Sequence, residues 1–423
     1  MAVLLTNGTY IDAATLSFTK THILAGEGAE GGISLLNEIP VNHNYTELDC
    51  SGRYITQAFA NGHHHAYSAL ARGMGAPKKA PADFSEILRY IWWPLDKALD
   101  QEMIRYSALV TAIACAKNGV TFVIDHHASP NAADGCLEII AEAFESVGVG
   151  HLLCYEISDR DGMGIARKGL LETEKYLSRR QGLVGLHASF TVGDKTLKQA
   201  VELARQLNSG IHMHVAEDLS DENHCLENYH TWVIDRLAAA GVLDFPKTIL
   251  AHCLHLDEYE RRQLSGSPAW VVQNMESNLN NSVGLFDSKG LSDRIMLGTD
   301  GMHSDMLRSA KAAYFSGHNH DNIDYAETYR RFRNVGNYLN ENGFTGYGEN
   351  NLVVLNYDSP TPFSKENFYG HFLFGLETRH VQHVIAQGKL VVRNGRVITV
   401  DEGEILEEAR RQATMLWKKM KQK

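Results

Sequence analysis

The chain has 423 residues, room for one large barrel plus a smaller unit. A hydrophobic fraction of 44% beside a charged fraction of 22% marks a globular protein and argues against disorder. The net charge of -11 argues against nucleic acid or an anionic membrane surface as the main partner, which leaves a small-molecule substrate as the expected one.

Six cysteines lie scattered, with no C-x-x-C pair, so buried free thiols and a reducing, cytoplasmic compartment are expected. The stretch Met1 to Gly8 has no basic n-region and only a short apolar run, so a secretory signal is not expected there. No stretch reaches the length of a transmembrane helix. Residues up to about Ser51 read as β-rich, and a first strand is expected over Ile55–Ala60. Apolar residues Met103, Ile104, Ala108, Ala112 and Cys115 follow the helical period over Gln101–Lys117, which stops before Gly119. The β-type run Val120–Ile124 comes next, then a helix within Ala132–Glu145 and a strand at Leu152–Tyr155. Helices near Leu170–Arg179, Leu197–Leu207 and Tyr229–Ala240 alternate with strands at Leu183–Leu186, Ile211–Val215 and Thr248–Ala251. Strands at Trp270–Val272 and Ile295–Leu297 complete a set of eight. Eight parallel strands with helical crossovers describe a (β/α)₈ barrel, an α/β fold. An open doubly wound sheet would carry a Gly-rich phosphate loop after its first strand, and none is present.

From about Asn351 to Val400 the chain reads as β-rich again, with a hairpin over Lys389–Val400 turning at Asn394-Gly395. The expected organisation is a composite β-sandwich from residues 1–56 and 351–403, a barrel over 57–350, and a C-terminal amphipathic helix over 404–423.

The 21 histidines are concentrated in a telling way. Strand one ends in His63-His64-His65, strand two in Asp125-His126-His127, strand three in Glu156 and strand four in His187. Strand five carries His212-Met213-His214 and continues to Glu217, strand six ends in His252, and strand eight in Asp300. In a barrel these ends share one face, where active sites of the fold sit. Residues i and i+2 of a strand point the same way, so His63 and His65 can face one metal ion, as can His212 and His214. Imidazoles with one carboxylate suit a single divalent ion, Zn²⁺ first and Fe²⁺ as the alternative. Such a set leaves the site with a charge of about +1, so bound water can ionise near neutral pH. A lone histidine at a strand end is more often structural. The ordered set is what points to chemistry.

These residues resemble the amidohydrolase superfamily. The resemblance rests on Gln57 to His65, His214-Val215-Ala216-Glu217, Leu250-Ala251-His252-Cys253 and Leu297-Gly298-Thr299-Asp300-Gly301. The run Cys154 to Gly162 draws it toward the deaminase and chlorohydrolase branch, closest to the SsnA-like aminohydrolases. The resemblance implies metal ligands at His63, His65, His214 and Asp300, with His212 a deeper barrel-filling residue. It implies Glu217, His252 and Asp300 as catalytic groups. Strand four carries no lysine to bridge a second metal. His126, His127, Glu156 and His187 are expected to line the substrate pocket, and Tyr67 to Gly75 to cover it. Two stretches depart from the family pattern, Gln57-Ala58 and Asn274 to Asn278.

The implied reaction is hydrolytic removal of an amino group from a nitrogen heterocycle of purine type. Cyclic-amide hydrolysis and halide removal are the alternatives on the same site, with a non-catalytic binding protein the remotest. No nucleotide or flavin fingerprint supports a redox enzyme. A homodimer is the commonest assembly for such a chain, although the sequence does not specify one.

Overall fold

The computed structural model describes residues 2–40, 44–321 and 323–421. Eight parallel strands form its centre: Phe59–His64, Val120–His127, Gly150–Tyr155, Val184–Ala188, Ile211–Val215, Ile249–His252, Trp270–Gln273 and Ile295–Leu297. The first three pair side by side, and so do the last five, with register shifts between the first two strands and between the fourth and fifth. Bridges from Leu153 to Gly182 and from Ile157 to Leu186 join the third strand to the fourth, and His64 bridges Asp300 to close the ring. These strands are buried on both faces, which is why they read as near-continuous apolar runs. Ala60, Phe122, Leu152, Cys154, Val272 and Met296 belong to the core inside the ring, while the apolar faces of the helices pack around it.

The helix Gln101–Lys117 forms with the expected bounds, capped by the Asp100 carboxylate accepting from the Met103 amide. Others shift. The expected strand Ile55–Ala60 is two strands, Tyr54–Gln57 and Phe59–His64, belonging to different sheets. The Ala58 amide bonds the Asn351 carbonyl and the Phe59 amide bonds that of Gly119, so the chain changes partners between adjacent residues. The expected helix Tyr229–Ala240 forms only over its second part, after a separate helix that the sequence reading did not include. Leu219–Tyr229 ends where His230 turns left-handed, and Val233–Ala239 follows. The helices Met306–Gly317 and Tyr325–Glu341 were not legible in the sequence. Neither was the irregular helical segment from Phe84 to Ala98.

The two β-rich flanks meet in one nine-stranded sheet. Tyr54–Gln57 pairs antiparallel with Leu352–Leu355, which joins the C-terminal strands to the N-terminal ones. Strand Ala2–Ile11 forks, pairing Tyr45–Asp49 with its first half and Tyr54–Gln57 with its second. Val3, Leu5, Ile23, Ile55, Val354 and Ile385 make the apolar core between them. The final helix, Glu402–Lys421, packs against Gln101–Lys117, with Trp417 Nε1 donating to the Leu70 carbonyl. Among the described residues no helix is long and apolar enough to cross a membrane.

Candidate metal centre and its cavity

At the C-terminal rim three imidazoles converge with one carboxylate. His63 Nδ1 bonds His212 Nε2 at 2.9 Å, and its own Nε2 is buried with no hydrogen-bond partner, 3.5 Å from Asp300 Oδ1. His65 Nδ1 donates to the His126 carbonyl at 2.5 Å, so its Nε2 faces Asp300 Oδ1 at 3.0 Å. His214 Nδ1 donates to the His187 carbonyl at 2.8 Å, and its Nε2 lies 3.1 Å from that of His65. Each ring is thus pinned through Nδ1 and presents Nε2 to one point. That is how ligating histidines are oriented by their surroundings. Bare ring nitrogens beside an ionised carboxylate, one of them buried without a partner, fit a divalent cation.

His252 stands beside this cluster. The Asn278 amide donates to His252 Nδ1 at 2.8 Å, which leaves the ring proton on Nε2. That Nε2 lies 3.5 Å from Glu217 Oε2 and 3.8 Å from Asp300 Oδ2. His63, His214, His252 and Asp300 each offer a ligand atom within 4.8 Å of the others. The Asn278 bond separates His252 from the rest, since a protonated Nε2 donates and cannot ligate.

The two carboxylates are driven apart. Burial, reinforced by the Asp300 charge, raises Glu217 well above the usual carboxylate range. Burial opposes ionisation of Asp300 too, but contacts from His63 and His65 hold it well below that range. One carboxyl keeps its proton while its neighbour stays charged, the pattern of an acid and base pair.

Backbone strain gathers here as well. Ala216, His252, Cys253 and Asp300 all have positive φ without being glycine. The turns are held by Cys253 N bonding Val215 O and by Asp300 N bonding His63 O. Gly298 lets strand eight close in, because a Cβ there would lie 2.4 Å from Asn274 Oδ1 and 3.0 Å from His63 Cβ.

Above the cluster lies a cavity of about 70 Å³ whose wall includes His65, Glu156, His187, His214, Glu217 and Asp300. Glu156 Oε1 lies 3.7 Å from His187 Nε2, and Glu156 Oε2 lies 3.3 Å from His126 Nδ1. Burial works against its charge, yet His187 and His126 keep its carboxyl well below the usual range. His187 Nδ1 bonds Thr191 Oγ1 at 2.6 Å.

The structure corrects the placement of His126 and His127, which do not line the cavity. Neighbouring residues of a strand face opposite ways, so the two cannot both face one space. His126 Nε2 donates to the Leu186 and His212 carbonyls inside the barrel, and His127 Nε2 bonds Ser129 Oγ. His212 is fully buried, as its barrel-filling reading requires, and holds His63. Of the expected cover, Tyr67 lines the cavity, but Arg72 to Gly75 do not.

Several wall residues were missed. Trp92, Trp93 and Asp96 come from the unforeseen segment after strand one, and Arg160 from the loop after strand three. Asn278 lay within a stretch noticed only as a departure from the family pattern. Asn281, whose Nδ2 reaches Glu217 Oε1 at 3.4 Å, carried no signal.

Residues 54–331 match the amidohydrolase family, and the chain belongs to it, a hydrolytic enzyme of that family. It is similar to the 5'-deoxyadenosine deaminase of Methanopyrus kandleri, 27% identical over 381 residues that cover 84% of this chain and 85% of the relative. It is similar also to the 5-methylthioadenosine/S-adenosylhomocysteine deaminase of Pelotomaculum thermopropionicum, 27% identical over 395 residues and 87% of each chain. Among solved structures, an adenosine deaminase from Xanthomonas campestris with bound zinc superposes with a TM-score of 0.83 over 98% of each chain, at 17% identity.

Proposed function

We propose that the chain hydrolytically removes an amino group from a purine-like heterocycle, using one zinc ion held by His63, His65, His214 and Asp300. The observation that carries the metal hydrolase is the pinning of three rings through Nδ1, so that their Nε2 atoms meet one charged carboxylate. The deaminase reading draws support from relatives whose names are those of adenosine-type deaminases.

The ion would supply the positive charge that makes water ionisable near neutral pH. Asp300, held in its charged form, takes the proton from the water as the new carbon–oxygen bond forms. Glu217, held protonated, delivers its proton to the ring nitrogen next to the reacting carbon. His252 donates from Nε2 to the oxygen and steadies the charge at the tetrahedral carbon. The amino group leaves as ammonia when the proton on Asp300 passes to it, and the added oxygen returns its remaining proton to Glu217 as the carbonyl forms. Glu156 and His187 lie on the wall that faces the substrate's polar edge.

A screen of aminated heterocycles for ammonia release, with zinc-loaded protein, tests the reaction. Ammonia from a purine or purine nucleoside is the expected result. Chloride or a ring-opened product, with no ammonia from any aminated member, would replace the deaminase by one of its alternatives.

A further inference from the structure

Asn278 and Asn281 reach His252 and Glu217 from one short helix, Met275–Asn281. Both proton donors of the proposed reaction are therefore aimed by a single seven-residue element. A helix of that length does not hold its shape alone, and among the described residues no side chain caps its N-terminus. Its first turn must be fixed from outside.

Glu276, in that turn, supplies the connection. Its Oε2 lies 2.5 Å from His303 Nε2, and its Oε1 accepts from Arg308 Nε at 2.6 Å. His303 stands in the turn that follows Asp300. Its Nδ1 accepts from the Asp305 amide at 3.0 Å, so the ring proton sits on Nε2 and is donated to Glu276. Asp305 in turn caps the helix Met306–Gly317, its carboxylate accepting from the Arg308 amide. The Glu276 and His303 side chains are 14% and 18% exposed, whereas Arg308 is 62% exposed. An exposed ion pair contributes little and a shielded charge-assisted hydrogen bond more, so His303 is the stronger tie. Burial works against the charge of Glu276, yet His303 and Arg308 hold its carboxyl below the usual range. The two loops so joined form one side of the cavity, through Ser277, Asn280 and Asn281 on one and Gly301 and Met302 on the other. Glu276 and His303 do not line it, so they act only through what they hold.

We infer, resting on the roles given above to His252 and Glu217, that Glu276 and His303 form a clasp that positions the proton donors of the reaction. His303 fixes Glu276, Glu276 fixes the start of the helix, and the helix brings Asn278 to His252 Nδ1 and Asn281 to Glu217. While the clasp is closed, His252 keeps one tautomer, with its proton on Nε2. Opening it lets the helix drift, and a displacement of about 1 Å is enough to lose the Asn278 bond. Neither residue belongs to the metal set, so the ion stays bound. Both are positioning residues, one on each of two neighbouring loops.

The test reads the His252 ring by NMR at pH 8, where an imidazole is neutral. It uses zinc-loaded, full-length protein with isotope-labelled histidine ring nitrogens. The His252 signals are those lost in a folded His252→Phe variant. In the wild type they should show a protonated Nε2 and a bare Nδ1. Glu276→Ala and His303→Leu should each make the two shifts converge, as the ring begins to exchange between tautomers. Glu276→Gln, whose side-chain oxygen still accepts from His303, should keep the wild-type pattern. Zinc affinity of Glu276→Ala, by chelator competition, should stay within about threefold of wild type, far from the roughly 10- to 100-fold loss that follows a disturbed ligand partner. An unchanged pattern in folded Glu276→Ala or His303→Leu, convergence in Glu276→Gln, a wild-type ring without a bare Nδ1, or weakened zinc binding in Glu276→Ala would overturn the inference. If one of the two truncations fails to fold, the other decides. No substrate enters this measurement. Ammonia release, scored separately on the wild type, decides the deaminase, and the clasp stands or falls on the ring signals alone.

Discussion

Replacing His212 with leucine removes the acceptor that holds the His63 ring. His212 is fully buried, with Nε2 2.9 Å from His63 Nδ1 and Nδ1 3.6 Å from Cys154 Sγ. Leucine approximates its volume, so the change is mainly chemical. The His63 Nδ1 proton would then point into a dry interior at a cost of about 1–3 kcal/mol. The ring escapes that cost by moving its proton to Nε2, which removes the lone pair offered to the metal. Either outcome should weaken zinc binding by about 10- to 100-fold, or roughly 1.4–2.8 kcal/mol. His212→Gln, which restores an oxygen acceptor, should recover part of the loss. Zinc competition against a chromophoric chelator measures the effect, and circular dichroism confirms that the variant is folded. A folded His212→Leu protein with wild-type zinc affinity would refute the argument that ring orientation builds this centre.

Glu217→Gln should retain zinc and lose about 10²–10⁴-fold in turnover, since proton delivery is its role. Full activity would remove Glu217 from the reaction. Asn278→Ala should lower kcat about tenfold or more with little change in KM, because His252 loses the partner that fixes its tautomer. A pure KM effect would contradict that assignment. Stripping zinc with a chelator should abolish turnover and lower the unfolding temperature. Zinc at a thousandfold excess over its Kd restores about 4 kcal/mol, and an unchanged melting curve would argue against a bound ion. The buried Glu222 carboxyl is pushed up to about 9 by burial and by Glu260. An unfolded chain sheds that proton near 4.5, so between these values the folded state holds more protons and stability falls as pH rises. The slope reaches about 1.4 kcal/mol per pH unit. Glu222→Gln should raise the melting temperature at pH 8 and flatten its decline from pH 5, and no gain at pH 8 would dismiss this cost.

What could be read in the sequence depended on periodicity and order. His63, His65, His214, His252 and Asp300 were legible because each closes an apolar run, and closed barrels bring such ends together. Strand alternation turns His126 and His127 to opposite faces, and their bonds to backbone carbonyls and to Ser129 become visible only in the folded barrel. The segment containing Trp92, Trp93 and Asp96 runs through an α, a π and a second α turn, so no single period marks it. The Asp96 to Arg160 contact spans 64 positions, and nothing local announces it. Asn278 stood in plain view, but only the fold shows that its amide meets His252.

The pairing of Gln57 with Leu352 has a bearing on synthesis. On the ribosome the edge of Tyr54–Gln57 emerges about 295 residues before the strand that covers it. At roughly 5–20 residues per second this leaves an open hydrogen-bonding edge for roughly 15–60 s. A nascent chain in that state invites pairing with a neighbour on the same message. Slow translation or a lack of chaperone should therefore lower the yield of this enzyme more than its finished stability suggests.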